Sequence, residues 1–314
     1  MPELPRVVVT EFVAERAHQI FAGHAAVTAD DGLWKDRARL EAELASAEAL
    51  VVRNQTRVDA ALLARAPRLR VVGRLGVGLD NIDLPACRAR GIAVVVARGA
   101  NAVAVAEHVL ACLFAIARRV EAASRSVRAG EWDRRGFTGV ELAGKTLGIV
   151  GLGDIGLRLA RRAAALELEV LATSPDWPDA AAGLARRVPL DELLARSHFV
   201  SLHVPLTPAT RGLIGAPQLA RMRRDAWLVN TSRGEVVDEE ALRAALARGA
   251  IAGAALDVRH REPTPAPDAL AGLENVLLTP HVAGLTAEAQ DRTAELVAED
   301  VLRVLGGEPA RYPA

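Results

Sequence analysis

The stretch TLGIVGLGDIG, residues 146–156, decides the fold of this 314-residue chain. Its apolar first half predicts a strand, its glycines have G-x-G-x-x-G spacing, and residues 157–166 continue as a helix-like segment. In this strand–turn–helix setting Gly151 allows a tight turn, Gly153 lets the backbone approach a pyrophosphate, and Gly156 packs the helix on the strand. The stretch predicts a dinucleotide-binding turn, with a glycine turn that binds no ligand as the alternative.

The residues around this turn indicate which dinucleotide it binds. The backbone amides of Asp154 and Ile155 are expected to face phosphates at the helix N-terminus. An acidic residue at the end of the next strand would bind the adenosine ribose, but that position holds Ser174, and Asp176 follows two residues later. No arginine lies beside Ser174 to hold a 2′-phosphate. We therefore expect NAD as the cofactor, with NADP as an alternative.

Strand-like and helix-like segments alternate along the rest of the chain, which is typical of α/β proteins with parallel sheets. We predict two doubly wound, Rossmann- or flavodoxin-like domains with a cleft between them. One comprises residues 1–99 plus 286–314, and a dinucleotide-binding domain spans 100–285. The second domain is predicted to hold six strands: Thr146–Val150, Glu169–Ala172, Phe199–Leu202, Ala226–Val229, Gly253–Leu256 and Val276–Leu278. Strands are also expected near 6–10, 49–53 and 70–73, and helices near 34–47, 101–119 and 286–305.

Composition excludes several classes of protein. The chain has 39 Lys and Arg against 39 Asp and Glu, so it lacks the cationic excess on which non-specific binding to nucleic acids or anionic membranes depends. Its two cysteines, Cys87 and Cys112, have no Cys or His partner at metal-ligand spacing, so we expect neither a disulfide framework nor a metal site. No signal peptide or membrane span is visible, and we expect a cytoplasmic protein.

Three later segments each place a polar side chain just after a short apolar strand. Arg233, Glu262 and His281 follow the strands that end near residues 229, 256 and 278. The carboxyl ends of parallel strands converge on one crevice, so these side chains are expected to meet there. Arginine can hold a carboxylate with two hydrogen bonds, histidine is a proton donor near neutral pH, and a glutamate can orient the imidazole. The three residues form a candidate catalytic set.

With these motifs in place, the chain resembles the D-isomer-specific 2-hydroxyacid dehydrogenase family over essentially its whole length, nearest its 3-phosphoglycerate dehydrogenase branch. The resemblance covers the family's catalytic core and does not include the regulatory extensions that some members carry. Six blocks carry it, in family order: VVGRLGVGLDNID (71–83), AEHVLACLFAIAR (106–118), GKTLGIVGLGDIG (144–156), VNTSRGEVVDEEAL (229–242), AGAALDV with EP (252–258 and 262–263) and NVLLTPHVAG (275–284).

The resemblance implies a role for each catalytic residue. Arg233 would bind the substrate carboxylate and carbonyl, His281 would exchange a proton with the carbonyl oxygen, and Glu262 would pair with His281. Asp257 would orient the nicotinamide carboxamide. Three further residues are implied on the cofactor side: Val204, Thr231 and Gly284.

On the substrate side, the resemblance implies that backbone amides at Val77 and Gly78 receive the carboxylate, with Asn101 nearby. Arg53 and Arg74 match arginines that hold a distal anion in the phosphoglycerate branch. The chain also departs from the family pattern: Arg259 follows Val258 where an aromatic residue is common, and Val77 and Val204 stand where threonine is common.

These features predict reversible hydride transfer between a nicotinamide cofactor and a 2-oxo or 2-hydroxy acid, with a second anionic group such as the phosphate of 3-phosphoglycerate or the sulfonate of sulfolactate. One alternative is a glyoxylate/hydroxypyruvate reductase, in which Arg53 and Arg74 are structural. Another is a NAD-sensing partner protein without catalysis. The family also implies a homodimer to which the apolar helix at 101–119 contributes, with Asn101 and Gly284 as hinges between the domains.

Overall fold

The computed structural model describes residues 3–314, and the chain divides into two α/β units. One unit comprises Met1–Asn101 and Leu285–Ala314, and the other comprises Ala102–Gly284. Each unit holds one parallel sheet with helices between its strands. The predicted architecture of two doubly wound parallel-sheet domains is confirmed.

The sheet of the first unit has five strands in the order β2-β1-β3-β4-β5, the flavodoxin-like arrangement. Strands β1 and β3 are almost wholly buried valine, leucine and alanine, as expected for a sheet covered on both faces. The strands are β1 (Arg6–Val9), β2 (Ala26–Ala29), β3 (Ala49–Val52), β4 (Val71–Arg74) and β5 (Ala93–Val96). The helices are α1 (Glu15–Phe21), α2 (Arg37–Leu44), α3 (Ala60–Ala64) and α4 (Leu84–Ala89).

The first unit differs from the sequence prediction in two ways. Strands β2 and β5, the two outer strands of the sheet, were not predicted; β2 has no fully buried side chain and therefore no strong apolar signal. The single helix predicted at 34–47 is wrong. Residues Leu33–Lys35 form a 3-10 turn, and α2 begins afresh because the Asp36 side chain accepts a hydrogen bond from the Arg39 amide and caps it.

The second unit starts with α5 (Ala102–Ala117), a mostly apolar helix. It is shorter than predicted, because Arg119 adopts a left-handed backbone conformation and a separate helix, α6 (Val120–Arg128), follows. The sheet has seven strands in the order β12-β11-β10-β9-β6-β7-β8, which is the dinucleotide-binding order with one strand added. The strands are β6 (Thr146–Val150), β7 (Glu169–Thr173), β8 (Arg186–Arg187), β9 (Phe199–Leu202), β10 (Trp227–Asn230), β11 (Gly253–Leu256) and β12 (Val276–Leu278). Its helices are α7 (Asp154–Ala165), α8 (Leu190–Arg196), α9 (Ala216–Arg221) and α10 (Glu239–Ala247).

The chain returns to the first unit through α11 (Ala287–Leu305). The Thr286 side chain caps this helix by accepting a hydrogen bond from the Ala289 amide. A Cβ atom on Gly73 of β4 would lie 2.7 Å from a Val297 methyl carbon, so glycine at this position lets α11 pack directly on the sheet. Within residues 3–314, no helix has both the length and the apolar character needed to cross a bilayer.

Candidate functional site

The glycine-rich turn lies at the carboxyl end of β6, next to the point where the strand order of the second sheet reverses. Gly151 has φ +96°, and a Cβ on Gly156 would lie 2.3 Å from the Gly151 carbonyl oxygen, so both positions require glycine. A Cβ on Gly153 would meet nothing within 4 Å. Gly153 is also the N-cap of α7 and offers its first amides no side-chain acceptor. Open space in front of uncapped amides fits a phosphate.

The other predicted cofactor residues follow the strands of the same parallel sheet and thus lie at the same edge. Ser174 follows β7, Val204 lies just beyond β9, Thr231 follows β10 and Asp257 follows β11. The Thr231 hydroxyl is buried and has no hydrogen-bond partner among the residues that the structure describes. Buried hydroxyls nearly always have a partner, so this orphaned group also fits a site that binds a polar ligand.

An arginine does lie beside Ser174, so that part of the sequence prediction is wrong. The Arg187 guanidinium donates hydrogen bonds to the backbone carbonyls of Ser174 and Pro175, each at 3.2 Å, and lies 5.6 Å from the ring centre of Trp177. Arg187 is distant in sequence, but β8 pairs with β7 and carries it there. The residues around Ser174 therefore present both a cation and the exposed Asp176 carboxylate.

Asp257 organises the turn that carries His281. Its carboxylate is buried and accepts hydrogen bonds from the Thr279 hydroxyl (2.5 Å) and from the amides of Val282 (2.9 Å) and Ala283 (2.8 Å). His281 itself has φ +56°, a left-handed conformation that is uncommon outside glycine, and its amide donates to the Asp257 carbonyl at 2.8 Å. These hydrogen bonds stabilise the strained backbone at His281 and thereby fix the direction in which its side chain points.

His281 and Glu262 form a hydrogen-bonded pair. The distance from Nδ1 of His281 to Oε2 of Glu262 is 2.6 Å, and the other carboxylate oxygen accepts from the Arg259 amide at 2.9 Å. Burial raises the pKa of Glu262, but its hydrogen bonds and the nearby charges of His281 and Arg233 outweigh this effect and bring the pKa below its ordinary value. Glu262 is therefore a carboxylate at neutral pH, His281 donates through Nδ1, and Nε2 is left to serve a substrate.

Arg233 lies on a turn that Asn230 shapes. The Asn230 side chain accepts from the amide (3.0 Å) and hydroxyl (2.8 Å) of Ser232 and donates to the Arg233 carbonyl at 2.9 Å. A Cβ on Gly234 would lie 2.0 Å from the Arg259 carbonyl carbon, so this turn packs directly against the segment that leads to Glu262. The structure thus brings Arg233, Glu262 and His281 together within the second unit.

The first unit carries the predicted anion-binding residues. Arg53 follows β3, next to β1, where the strand order of this sheet reverses. The buried carboxylate of Glu11 accepts hydrogen bonds from the amides of four consecutive residues, at 2.9 to 3.1 Å: Arg53, Asn54, Gln55 and Thr56. Sequence reasoning missed Glu11, because a single acidic residue after a strand gives no signal of the loop that it will bind.

The Arg53 guanidinium is partly buried, and burial lowers its pKa. It donates to Oε1 of Gln290 at 3.1 Å, and the charge of the nearby Glu11 carboxylate opposes the effect of burial on its pKa only in part. Arg74 ends β4 and folds back over Gly76, donating to the Leu75 carbonyl at 2.8 Å.

The remaining predicted residues lie in loops or at the ends of the units. Val77 is exposed and Gly78 partly exposed in the loop after Arg74. Asn101 ends the first segment of the first unit, and Gly284 is the last residue of the second unit. In the described part of the chain, no three His, Cys, Asp or Glu side chains are grouped so that they could hold a metal ion.

Comparisons with known proteins agree with this geometry. Residues 110–283 match the family described as D-isomer specific 2-hydroxyacid dehydrogenase, NAD binding domain. The chain is 47% identical over 303 residues to the (S)-sulfolactate dehydrogenase of Chromohalobacter salexigens, covering 96% of this chain and 98% of that protein. It is 45% identical over 278 residues to the D-3-phosphoglycerate dehydrogenase of Archaeoglobus fulgidus, covering 88% of this chain and 53% of that protein. The chain thus spans about half the length of this second relative.

A crystal structure of a Thermus thermophilus protein superposes with a TM-score of 0.92 at 36% identity, covering 98% of this chain and 99% of the other. The family match covers more than half of the chain, and the first relative matches it almost from end to end. The chain therefore belongs to the D-isomer specific 2-hydroxyacid dehydrogenase family and contains that family's NAD binding domain.

Proposed function

We propose that this protein catalyses the reversible, NAD-dependent reduction of a 2-oxo acid that carries a second anionic group. Examples of such acids are 3-phosphohydroxypyruvate and sulfopyruvate, the oxidised forms of 3-phosphoglycerate and sulfolactate. The observation that carries the proposal is the 2.6 Å pair between His281 and Glu262 beside Arg233, at the sheet edge that holds the glycine-rich turn. A cation, a proton donor and a carboxylate that orients the donor are the groups that reduction of a 2-oxo acid requires.

In this mechanism, Arg233 binds the carboxylate of the substrate and polarises its carbonyl oxygen. NADH held at the second sheet would supply the hydride for the carbonyl carbon. His281 donates the proton on Nε2 to the carbonyl oxygen, which becomes the hydroxyl group of the product. Glu262 keeps the imidazole oriented through Nδ1 and balances its charge before the transfer. In the reverse direction, Nε2 removes the hydroxyl proton.

We assign the cofactor to the edge of the second sheet. The backbone at Gly151, Gly153, Asp154, Ile155 and Gly156 would hold the pyrophosphate, because the space in front of Gly153 is open. The adenosine ribose would lie at Ser174, and the nicotinamide side would be formed by Val204, Thr231, Asp257 and Gly284. The buried Asp257 carboxylate already accepts three hydrogen bonds that stabilise the His281 turn. A contact with the nicotinamide carboxamide would be a further hydrogen bond to the same carboxylate.

The proposed second anion of the substrate follows from Arg53. The Glu11 carboxylate, which accepts hydrogen bonds from the backbone amides of this loop, offsets the burial of the guanidinium only in part, and an anionic ligand would offset the remaining cost. We propose that Arg53 and Arg74 bind the distal anion, that amides of Val77 and Gly78 bind the carboxylate, and that Asn101 contributes nearby. The two relatives named above are dehydrogenases of sulfolactate and of 3-phosphoglycerate, and each of these substrates has such a second anion.

The other two functions are less well supported. A glyoxylate/hydroxypyruvate reductase would act on a substrate with one carboxylate and would leave Arg53 without an anion. A NAD-sensing protein without catalysis would have no use for the Glu262–His281 hydrogen bond, which is present here at 2.6 Å.

We also propose that the protein is a cytoplasmic homodimer. Four apolar side chains on α5, α6 and the segment after them are between 44% and 79% exposed: Phe114, Val120, Val127 and Trp132. A second copy of the chain would cover them. Both cysteines are free and buried, as suits a reducing compartment. Light scattering in solution tests the dimer, and a monomer at micromolar concentration would contradict it.

Substitution of the arginines tests the substrate class. For Arg53→Gln and for Arg74→Gln we expect KM for 3-phosphohydroxypyruvate or sulfopyruvate to rise about tenfold or more, because each variant loses a charge-assisted hydrogen bond to the second anion. KM for pyruvate is expected to change little, because pyruvate has no second anion. Arg57→Gln, on the same loop but exposed, is the matched control. Equal losses on dianionic and monoanionic substrates would show that the arginines do not recognise the second anion.

A further inference from the structure

A buried ion cluster lies next to the proposed acid–base pair. Arg259 is only 8% exposed at its side chain, and its guanidinium binds two carboxylates at once. It donates to both oxygens of Glu239 (2.5 and 3.3 Å) and to both oxygens of Asp268, one of them at 2.9 Å. Burial alone would lower the pKa of Arg259, but the two carboxylates have the larger, opposite effect, and the pKa is raised. The same guanidinium lowers the pKa of Asp268 directly, so the cluster is ionised at neutral pH.

The cluster holds a segment that lacks regular secondary structure. Residues 257–275 connect β11 to β12 without a strand or helix, and Glu262 lies in this connection. Glu239, the first residue of α10, also accepts a hydrogen bond from the His260 amide at 3.2 Å. Asp268 also accepts from the Leu270 amide at 2.9 Å. The three side chains therefore fasten two points of the connection to the start of a helix of the core. Long connections without such contacts are mobile.

Arg259 links this cluster to Glu262 through its own backbone. Its amide donates to Oε1 of Glu262 at 2.9 Å, and the second oxygen, Oε2, accepts from His281. The backbone of Arg259 also packs directly on Gly234, next to Arg233. The position of one carboxylate is thus determined on one side by Arg259 and on the other by the imidazole that it orients.

Resting on the proposed function, we infer that Arg259, with Glu239 and Asp268, is the positioning group that holds Glu262 in place against His281. Arg259 touches no reacting atom in this scheme and acts only through the Glu262 carboxylate. A planar guanidinium can bridge two carboxylates with four directed hydrogen bonds, which neither an ammonium group nor an aromatic ring can do. Small displacements of a catalytic group reduce turnover strongly, so loss of this support lowers kcat.

The experiment compares Arg259→Met with the Glu262→Gln variant and with the double variant. For Arg259→Met we expect kcat to fall about tenfold, with KM for NADH little changed. In the Glu262→Gln background, the same substitution is expected to change kcat by less than about twofold, because the carboxylate through which Arg259 acts is already absent. Equal losses in both backgrounds would overturn the inference and leave Arg259 as a purely structural residue.

Two further variants test whether a loss of kcat in Arg259→Met results from misfolding. Arg259→Met leaves two carboxylates facing each other, so Arg259→Met/Glu239→Gln/Asp268→Asn removes that repulsion and is expected to lose kcat to the same extent. Arg37→Met is the matched control, because Arg37 bridges Glu41 (2.9 Å) and Asp59 (2.8 Å) in the first unit. It is expected to keep the kcat of the wild-type protein. A loss of kcat in the control equal to that in Arg259→Met would contradict the inference.

A spectroscopic measurement separates this inference from the proposed function. In the protein without added cofactor, the proton between His281 and Glu262 is expected to give a downfield NMR signal, assigned by its loss in His281→Asn. We expect the signal to be lost or broadened in Arg259→Met and retained in Arg37→Met. A signal unchanged in Arg259→Met would refute the positioning role. Failure of the wild-type protein to reduce any 2-oxo acid would refute the proposed function while leaving the NMR result valid.

Discussion

The substitution Glu262→Gln removes the charge that faces His281 and changes the shape of the side chain very little. A hydrogen bond between charged groups contributes about 1.5–3 kcal/mol. The His281 and Glu262 side chains are 44% and 35% exposed, so solvent screening favours the lower end, about 1.5 kcal/mol. If this interaction is needed in the transition state, kcat falls about tenfold, since about 1.36 kcal/mol corresponds to a factor of ten.

The assay is steady-state oxidation of NADH in the presence of a 2-oxo acid, followed by absorbance from neutral to acidic pH. The pKa of Glu262 lies below its ordinary value of 4.5, so its contribution is complete above that value and is lost as the pH falls through the lowered pKa. The ratio of wild-type to variant kcat is therefore expected to narrow once the solution is acidic enough to protonate Glu262 in the wild-type protein.

Glu274→Gln is the matched control, because Glu274 is exposed on the same connection between β11 and β12. It is expected to have the kcat of the wild-type protein. A folded Glu262→Gln protein with unchanged kcat would refute the reasoning, as would a ratio that does not narrow as the pH falls through the lowered pKa of Glu262.

Three other predictions concern the cofactor site and the first unit. Gly153→Ala fills open space and is expected to raise KM for NADH without loss of stability. Gly156→Ala forces a Cβ to 2.3 Å from a carbonyl oxygen and is expected to lower the free energy of unfolding by about 2 kcal/mol. A thermal melt distinguishes the two variants, and equal melting temperatures would contradict this prediction. Glu11→Gln weakens the bonds to the Arg53 loop and is expected to lower the free energy of unfolding in urea by about 2 kcal/mol, so an unchanged value would exclude this role. Arg187→Gln is expected to raise KM for NADPH several-fold and leave KM for NADH almost unchanged, whereas equal effects on both would show that Arg187 does not face the 2′-phosphate.

The sequence allowed most of the second unit to be predicted, because its signals are local. A buried apolar strand followed at once by a glycine turn, or by a polar residue, is visible in a dozen consecutive residues, as at Gly151 or His281. All six strands predicted in this unit are present, with shifts of at most one residue at an end.

The features that were missed depend on contacts between distant residues. Arg187 reaches Ser174 only because a two-residue strand pairs with β7. Arg259 is recognisable from the sequence only as a departure from the family pattern, and its meaning depends on Glu239, twenty residues before it, and on Asp268. Glu11 is separated from its loop by more than forty residues. Tertiary hydrogen bonds of this kind leave no periodic pattern in the chain.

The most direct test of the central claim is turnover of NADH by the purified protein against 3-phosphohydroxypyruvate, sulfopyruvate, oxaloacetate, hydroxypyruvate, glyoxylate and pyruvate. Arg53, a partly buried cation whose burial the Glu11 carboxylate offsets only in part, predicts that kcat/KM is highest for a substrate with a second anion. A higher kcat/KM for glyoxylate, hydroxypyruvate or pyruvate than for every dianionic substrate would contradict the account.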